Sequence, residues 1–156
     1  MDSVLVVGAS GILAPAASAL VRRGVEVTGI GRRHPMPAGV VGMHVDARDL
    51  LALDAALGTT RWRIALVYEP AITPSTFRRI EAAIDGRTVL VRTSAAADPA
   101  RGEPSPAPDT LLLGWHDDGE NVRWHTPTEV SDAALQVLDD GQGRVLGVVR
   151  PWERRP

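Results

Sequence analysis

The chain has 156 residues, enough for one domain with a single good core, and its formal net charge is -2. Hydrophobic residues make up 44%, and no apolar run is long enough to span a bilayer, so neither a nucleic acid nor a membrane is indicated as a partner. There is no cysteine, which excludes disulfides, thiolate metal sites and cysteine nucleophiles, and all 17 basic residues are arginine, so the chain contains no lysine.

Residues 4–14 read VLVVGASGILA: an apolar run, Gly8, Gly11 and the small Ala14, followed by Pro15 and an Ala/Leu-rich helical pattern. This is a strand, a glycine turn and a helix start. Glycine lets the backbone approach a phosphate closely, and a helix start offers unpaired N–H groups at a positive dipole end. The spacing is Gly-x-x-Gly-x-x-Ala rather than the commoner Gly-x-Gly-x-x-Gly. Its context supplies the specificity: Val4 to Val7 ahead of it, then Leu13, Ala16, Ala17, Leu20 and Val21 at helical spacing. A bound dinucleotide is expected here. A strand beginning by about Ser3 leaves no room for a signal peptide, so a cytoplasmic location is expected.

Strand and helix then alternate. Gly24 closes the first helix and Val25–Ile30 form a second strand; a Pro/Gly turn leads to a third, Val40–Val45. Asp49 caps a helix through Leu50, Leu53 and Leu57 that Gly58 stops. Arg63–Tyr68 form a fourth strand. Thr73-Pro74 reads as a cap and first-turn proline, with Phe77, Ile80 and Ile84 on one face. Thr88–Thr93 form a fifth strand. The pattern predicts a doubly wound, mostly parallel α/β sheet over a single domain, residues 1–156.

The pattern breaks at 95–109. Pro99, Pro104, Pro106 and Pro108 leave no room for a regular element, and the segment is expected to be a mobile loop: a lid over the strand ends, or a plain surface linker. Leu111–His116 form a sixth strand, and Asn121–His125 pairs back as a hairpin across Asp117-Asp118-Gly119. Thr126-Pro127-Thr128-Glu129 has capping-box spacing ahead of an amphipathic helix through Val130, Ala133, Ala134, Val137 and Leu138. Arg144–Arg150 form the last strand.

The end of the second strand bears on the cofactor. Gly31-Arg32-Arg33-His34 puts two arginines where an acid would meet the adenosine ribose. Guanidinium groups suit a phosphate, so NADP(H) is favoured over NAD(H). Asp46, at the end of the third strand, is placed to accept from the adenine amino group or to form a turn with Arg48. The expected cofactor-binding set is Gly8, Ser10, Gly11, Ile12, Arg32, Arg33 and Asp46.

Gly8-Ala9-Ser10-Gly11, the Gly31-Arg32-Arg33 turn and Val45-Asp46 together resemble the short-chain dehydrogenase/reductase superfamily, whose fold is the NAD(P)-binding Rossmann fold. Three C-terminal stretches, Leu113-Gly114-Trp115, Arg123 to Glu129 and Val149 to Pro156, are similar to small atypical members described simply as short-chain dehydrogenases. The resemblance implies a nicotinamide cofactor and oxidoreductase chemistry. It also places Ser94, ending the fifth strand, at the position of the superfamily's catalytic serine.

The departures matter as much. The superfamily's Tyr-x-x-x-Lys pair is absent, since there is no lysine to lower a tyrosine pKa. The one tyrosine, Tyr68, ends the fourth strand in Tyr68-Glu69-Pro70, where the superfamily usually carries Asn-Ala-Gly. Parallel-sheet geometry gathers Gly8, Tyr68, Glu69, Thr93 and Ser94 at one rim. Tyr68, Ser94 and Glu69 are the candidate catalytic residues, Tyr68 as proton donor and Glu69 as base, against simple packing for the first and solvation for the last. His116 and His125 flank the hairpin near the same rim without forming a metal set. Trp115 and Trp124 read as packing residues or pocket walls.

Two classes of function stay open: an NADP(H)-dependent reductase of a small carbonyl, imine or activated alkene, or a non-catalytic dinucleotide-binding sensor or accessory protein. A redox-neutral cyclase or isomerase reusing the pocket is a third. The partner in the first case is a small-molecule substrate. A homodimer stays open, although the long helices by which larger superfamily members dimerise are cut away.

Overall fold

A computed structural model describes residues 2–156. Along β1 (Ser3–Val7) successive side chains point to opposite faces, Val4 and Val6 into one core layer and Leu5 and Val7 into the other. Two helical layers receive them. α1 (Ala14–Arg22) follows the glycine turn, and β2 (Glu26–Gly31) and β3 (Val41–His44) come next. α2 (Leu50–Leu57) starts where Asp49 accepts from the Ala52 N–H and stops at Gly58. β4 (Trp62–Tyr68) is followed by α3 (Pro74–Glu81), whose Thr73 and Thr76 cap each other reciprocally. Then come β5 (Ile84–Arg92), β6 (Thr110–Leu113), the hairpin strands β7 (His116–Asp117) and β8 (Val122–Arg123), α4 (Pro127–Asp140) and β9 (Arg144–Leu146).

Seven strands form one sheet in the order β3-β2-β1-β4-β5-β6-β9, and every pair is parallel. The expected doubly wound single domain is what forms, with β7 and β8 as a separate antiparallel hairpin. α1 packs on α4 over one face and α2 on α3 over the other. The strand order reverses between β1 and β4, so a crevice opens at their carboxyl ends, where ligands bind in such sheets. Register aligns that edge: Val7 lies opposite both Ile30 and Val67, and Tyr68 opposite Val91.

Three expectations change. β5 begins at Ile84 rather than Thr88, pairing from Trp62 onward across a register shift. The sixth and last strands are shorter than their apolar runs. Gly147, at φ +74°, turns the chain after Leu146, and Val148 then bridges antiparallel to Trp115. Gly114 permits that approach, because a Cβ there would overlap the Val148 carbonyl. The third change lies in the crossover from β5 to β6. It carries two short 3-10 turns, Ser94–Ala97 and Pro99–Arg101, where no regular element was expected.

Those turns have a packing reason. Leu111 faces the α1–α4 layer, so its neighbour Leu112 faces the opposite side, where no crossover helix exists. Ala97, Trp115, Val149 and Trp152 close over it instead as a third small core. The Arg150 guanidinium donates to the Ala97 carbonyl at 2.8 Å and fastens the first turn there.

Candidate dinucleotide cleft and adjoining cavity

The glycine turn lies at the reversal point. Gly8 has φ +103°, and a Cβ on it would come within 3.2 Å of the Tyr68 Cβ, so Gly8 is required by the backbone and by its neighbour. Gly11 differs. A Cβ there would meet only the Gly8 carbonyl, at 3.9 Å, because its open side faces the cleft. The Leu13 and Ala14 N–H groups bond back to the turn at 3.2 and 3.0 Å. Those of Ser10 and Ile12 donate to no acceptor among the described residues, and the start of α1 follows with no side-chain cap. Free N–H groups, a helix start and a glycine with open space make a cradle fitted to a pyrophosphate.

The cleft encloses about 320 Å³ and runs from Gly8, Gly11 and Ile12 past Ile30 and Gly31 to Arg32, Arg33 and His34. Ser10 packs its side chain on β2, and a Cβ at Gly31 would overlap its Oγ, so glycine at 31 keeps this end of the cleft passable. Arg33 makes no ion pair among the described residues. Arg32 lies 3.8 Å from Asp46. Of the two roles open to Asp46, the structure shows the turn. Its carboxylate accepts from the Arg48 N–H at 3.0 Å and from Nε at 3.3 Å, and these contacts hold its pKa below the ordinary value. Val45 and Ala47 line the cleft, while Asp46 does not.

A second cavity, of about 360 Å³, adjoins the first, and Ile12 and Tyr68 form the wall common to both. Thr93 and Ser94 enter it from the end of β5, Gly114 from β6, Trp124 and His125 from the approach to α4, and Arg155 from the C-terminal tail. Tyr68 and Ser94 therefore meet as expected. Burial pushes the Tyr68 phenol above its ordinary pKa, so it is protonated at neutral pH, and its hydroxyl bonds to no group among the described residues. Glu69 departs from expectation. The chain turns at Pro70, and the Glu69 carboxylate lies in a separate groove beside α3, where it accepts from Arg92 Nε at 2.9 Å. A carboxylate held by that guanidinium, outside the cavity, is not placed to act as its base.

His125 is a wall of the cavity, with only 6% of its side chain exposed, and neither ring nitrogen has a well-formed hydrogen bond. Burial depresses its pKa. His116 stays on the hairpin, 3.7 Å from Asp118. Trp115 is fully buried in the third core and Trp124 stands half-exposed as a wall, so packing and wall are divided between them.

Two residues were not foreseen. Ser131, fully buried on α4, donates to the Ile12 carbonyl at 3.1 Å and ties the glycine turn to the far helix. The sequence offered a faint signal in a serine among Val130, Ala133 and Ala134. Arg155 donates through Nε to Ser94 Oγ at 2.9 Å and lies between the rings of Trp124 and Trp152, 5.4 and 5.0 Å from their centroids. Arg154 positions it with a bidentate grip on Asp117, at 2.5 and 2.9 Å, that fixes the tail to the hairpin.

No family model matches the sequence, and no curated protein does either. Solved structures match over nearly the whole chain. A short-chain dehydrogenase from Streptomyces avermitilis superimposes with a TM-score of 0.65 at 15% identity, covering 94% of this chain and 88% of that one. A Burkholderia multivorans protein assigned as a short-chain dehydrogenase/reductase, with NADP bound, gives 0.58 at 16% identity, covering 94% and 96%. A Streptococcus pneumoniae protein assigned as an NADH-flavin reductase gives 0.57 at 14%, covering 91% and 95%. The fold is a Rossmann-like α/β fold. At these identities the likeness carries the architecture and nothing finer. No helix among the described residues is long and apolar enough to cross a membrane.

Proposed function

We propose that this chain binds NADP(H) in the glycine-lined cleft and serves as an atypical short-chain reductase of a small carbonyl, imine or activated alkene held in the adjoining cavity. The observation that carries this reading is the common wall: Ile12 and Tyr68 border both spaces, so a nicotinamide leaving the cleft meets a second ligand at that wall.

The chain's own residues divide the work. Ser10 and Ile12 N–H groups and the start of α1 receive the pyrophosphate. Arg33, helped by Arg32, meets the 2′-phosphate. When bound, the cofactor supplies a hydride. Tyr68, protonated and facing the cavity, donates a hydrogen bond and then a proton to a carbonyl oxygen or imine nitrogen as the hydride reaches its carbon, and without a lysine the tyrosinate regains its proton from water. Ser94, held by Arg155, orients the same acceptor, and the apolar Ile12, Leu113 and Val130 limit water there.

The missing lysine favours one other reading, a sensor or accessory protein that binds the cofactor without turnover. The test is titration of the full chain with NADPH and NADH, followed by a panel of small aldehydes, ketones and enones at saturating NADPH. Tight NADPH binding with oxidation by some member of the panel supports the reductase. Tight binding with none replaces it by the sensor, and no binding overturns both.

A further inference from the structure

The second cavity has an unbalanced charge. Its walls come from Ile12, Leu113, Val130, Trp124 and other uncharged groups, and no Asp or Glu is among them. Arg155 is its one permanent charge. That guanidinium uses Nε on Ser94 and is flanked by two tryptophan rings, yet it has no carboxylate partner among the described residues. Its two terminal nitrogens donate to no protein acceptor there. Arg155 is exposed, yet two rings and one hydrogen bond hold its guanidinium at the cavity wall with its remaining donors free, and such a group is suited to a planar anion. A second polar group, His125, stands in the same wall with 6% of its side chain exposed and no well-formed hydrogen bond; the nearest carboxylate, Glu129, lies 3.9 Å from its Nδ1 and is paired with Arg123.

We infer that the occupant of this cavity is a short oxo acid, its carboxylate bound by Arg155 and its carbonyl end turned toward Tyr68 and His125. This names the substrate class of the reductase proposed above and rests on that reading. Size agrees. About 360 Å³ lies at the small end of ligand pockets, and a nicotinamide ring takes part of it, so only a few heavy atoms fit beside the ring. The apolar remainder accepts a short alkyl group. The position of Arg155 is built rather than incidental: the tail reaches it through the Arg154–Asp117 pair, the Arg150 bond to Ala97 and the edge-on contact of Trp152 with Trp115 at 6.1 Å.

The test compares 2-oxobutanoate with its uncharged amide, by calorimetric titration of the full chain, both alone and saturated with NADP+. The acid binds at least about 10-fold tighter than the amide, the scale of a charge-assisted pair. In Arg155→Gln the acid falls to the affinity of the amide while the amide is unchanged. Arg155→Lys keeps part of the preference, since it retains the charge without the fork. Equal binding of acid and amide to the unaltered chain overturns the inference, as does no binding of the acid. So does an equal loss of both ligands in Arg155→Gln, the mark of a tail that only closes the cavity. The cofactor-free arm reads the acid preference even where NADP+ fails to bind, so failure of this inference is distinct from failure of the proposed cofactor site.

Discussion

The cleft and the adjoining cavity are built in different ways. The cleft comes from short contiguous pieces: residues 7–12 supply the turn and residues 30–34 the far end, each directly after a strand. The cavity is assembled from Tyr68, Ser94, Gly114, His125 and Arg155, one residue at a time from distant parts of the chain. A contiguous site is dictated by local backbone chemistry and is shared by many proteins of this fold. A dispersed site depends on how the C-terminal third packs, and under the proposed function specificity would be set there.

The largest expected effect isolates the cleft. Gly11→Val fills space that no protein atom uses, so it abolishes NADPH binding while the thermal midpoint stays close to that of the unaltered chain. Gly8→Val forces a β-branched residue into φ +103° against Tyr68 and destabilises the fold by about 1–3 kcal/mol. If the two variants behave alike in binding and in melting, the distinction between a ligand-facing and a structural glycine is lost.

The next effect isolates the cavity. Tyr68→Phe lowers turnover by about 10²-fold or more, the scale of a lost general acid, with the NADPH dissociation constant nearly unchanged. Unchanged turnover removes Tyr68 from the chemistry and leaves it as a wall.

How much of this was legible follows the same division. Asp49, Thr73-Pro74 and Thr126–Glu129 mark their helices correctly because capping is settled within four residues. Tyr68 and Ser94 could be gathered in advance because a parallel sheet aligns strand ends. Glu69 could not be placed, because one residue beyond the strand the backbone direction depends on the turn at Pro70. Arg155 and Ser131 were illegible because their partners, Ser94 and Ile12, lie 61 and 119 positions away. The last strand stops at Leu146, short of the apolar run that Val148 and Val149 continue, because a glycine turn and the bridge to Trp115 decide the pairing.

Arginine substitutions sharpen the cleft further. Arg33→Ala costs NADPH about 1.5–3 kcal/mol of binding and leaves NADH little changed. Arg32→Ala costs less, because its guanidinium is already drawn toward Asp46. Equal losses for both cofactors would show that neither reads the phosphate. Ser131→Ala tests the link between α4 and the turn, with an expected loss of about 1 kcal/mol in denaturant unfolding and a weaker NADPH affinity. An unaltered affinity would show that the turn holds its shape without α4.

The smallest effect is acid sensitivity in the C-terminal third. Arg154 and the Gly119 N–H hold the Asp117 carboxyl at about 2, and Arg123 with the Thr126 N–H holds that of Glu129 at about 2. Both values are depressed from 3.8 and 4.5. The stability they contribute is complete above those ordinary values and is lost as the pH falls through about 2. Asp117→Asn therefore flattens the fall in melting temperature across that window, and an unchanged slope would mean that the Arg154 contact does not hold the tail.

The most direct measurement is a crystal structure of the chain with NADPH bound. The pyrophosphate is expected on the Ser10 and Ile12 N–H groups, the 2′-phosphate within hydrogen-bond reach of Arg33, and the nicotinamide against Ile12 and Tyr68, facing Ser94 and Arg155. A dinucleotide lying elsewhere, or one whose nicotinamide turns away from the Tyr68 wall into solvent, would contradict this arrangement.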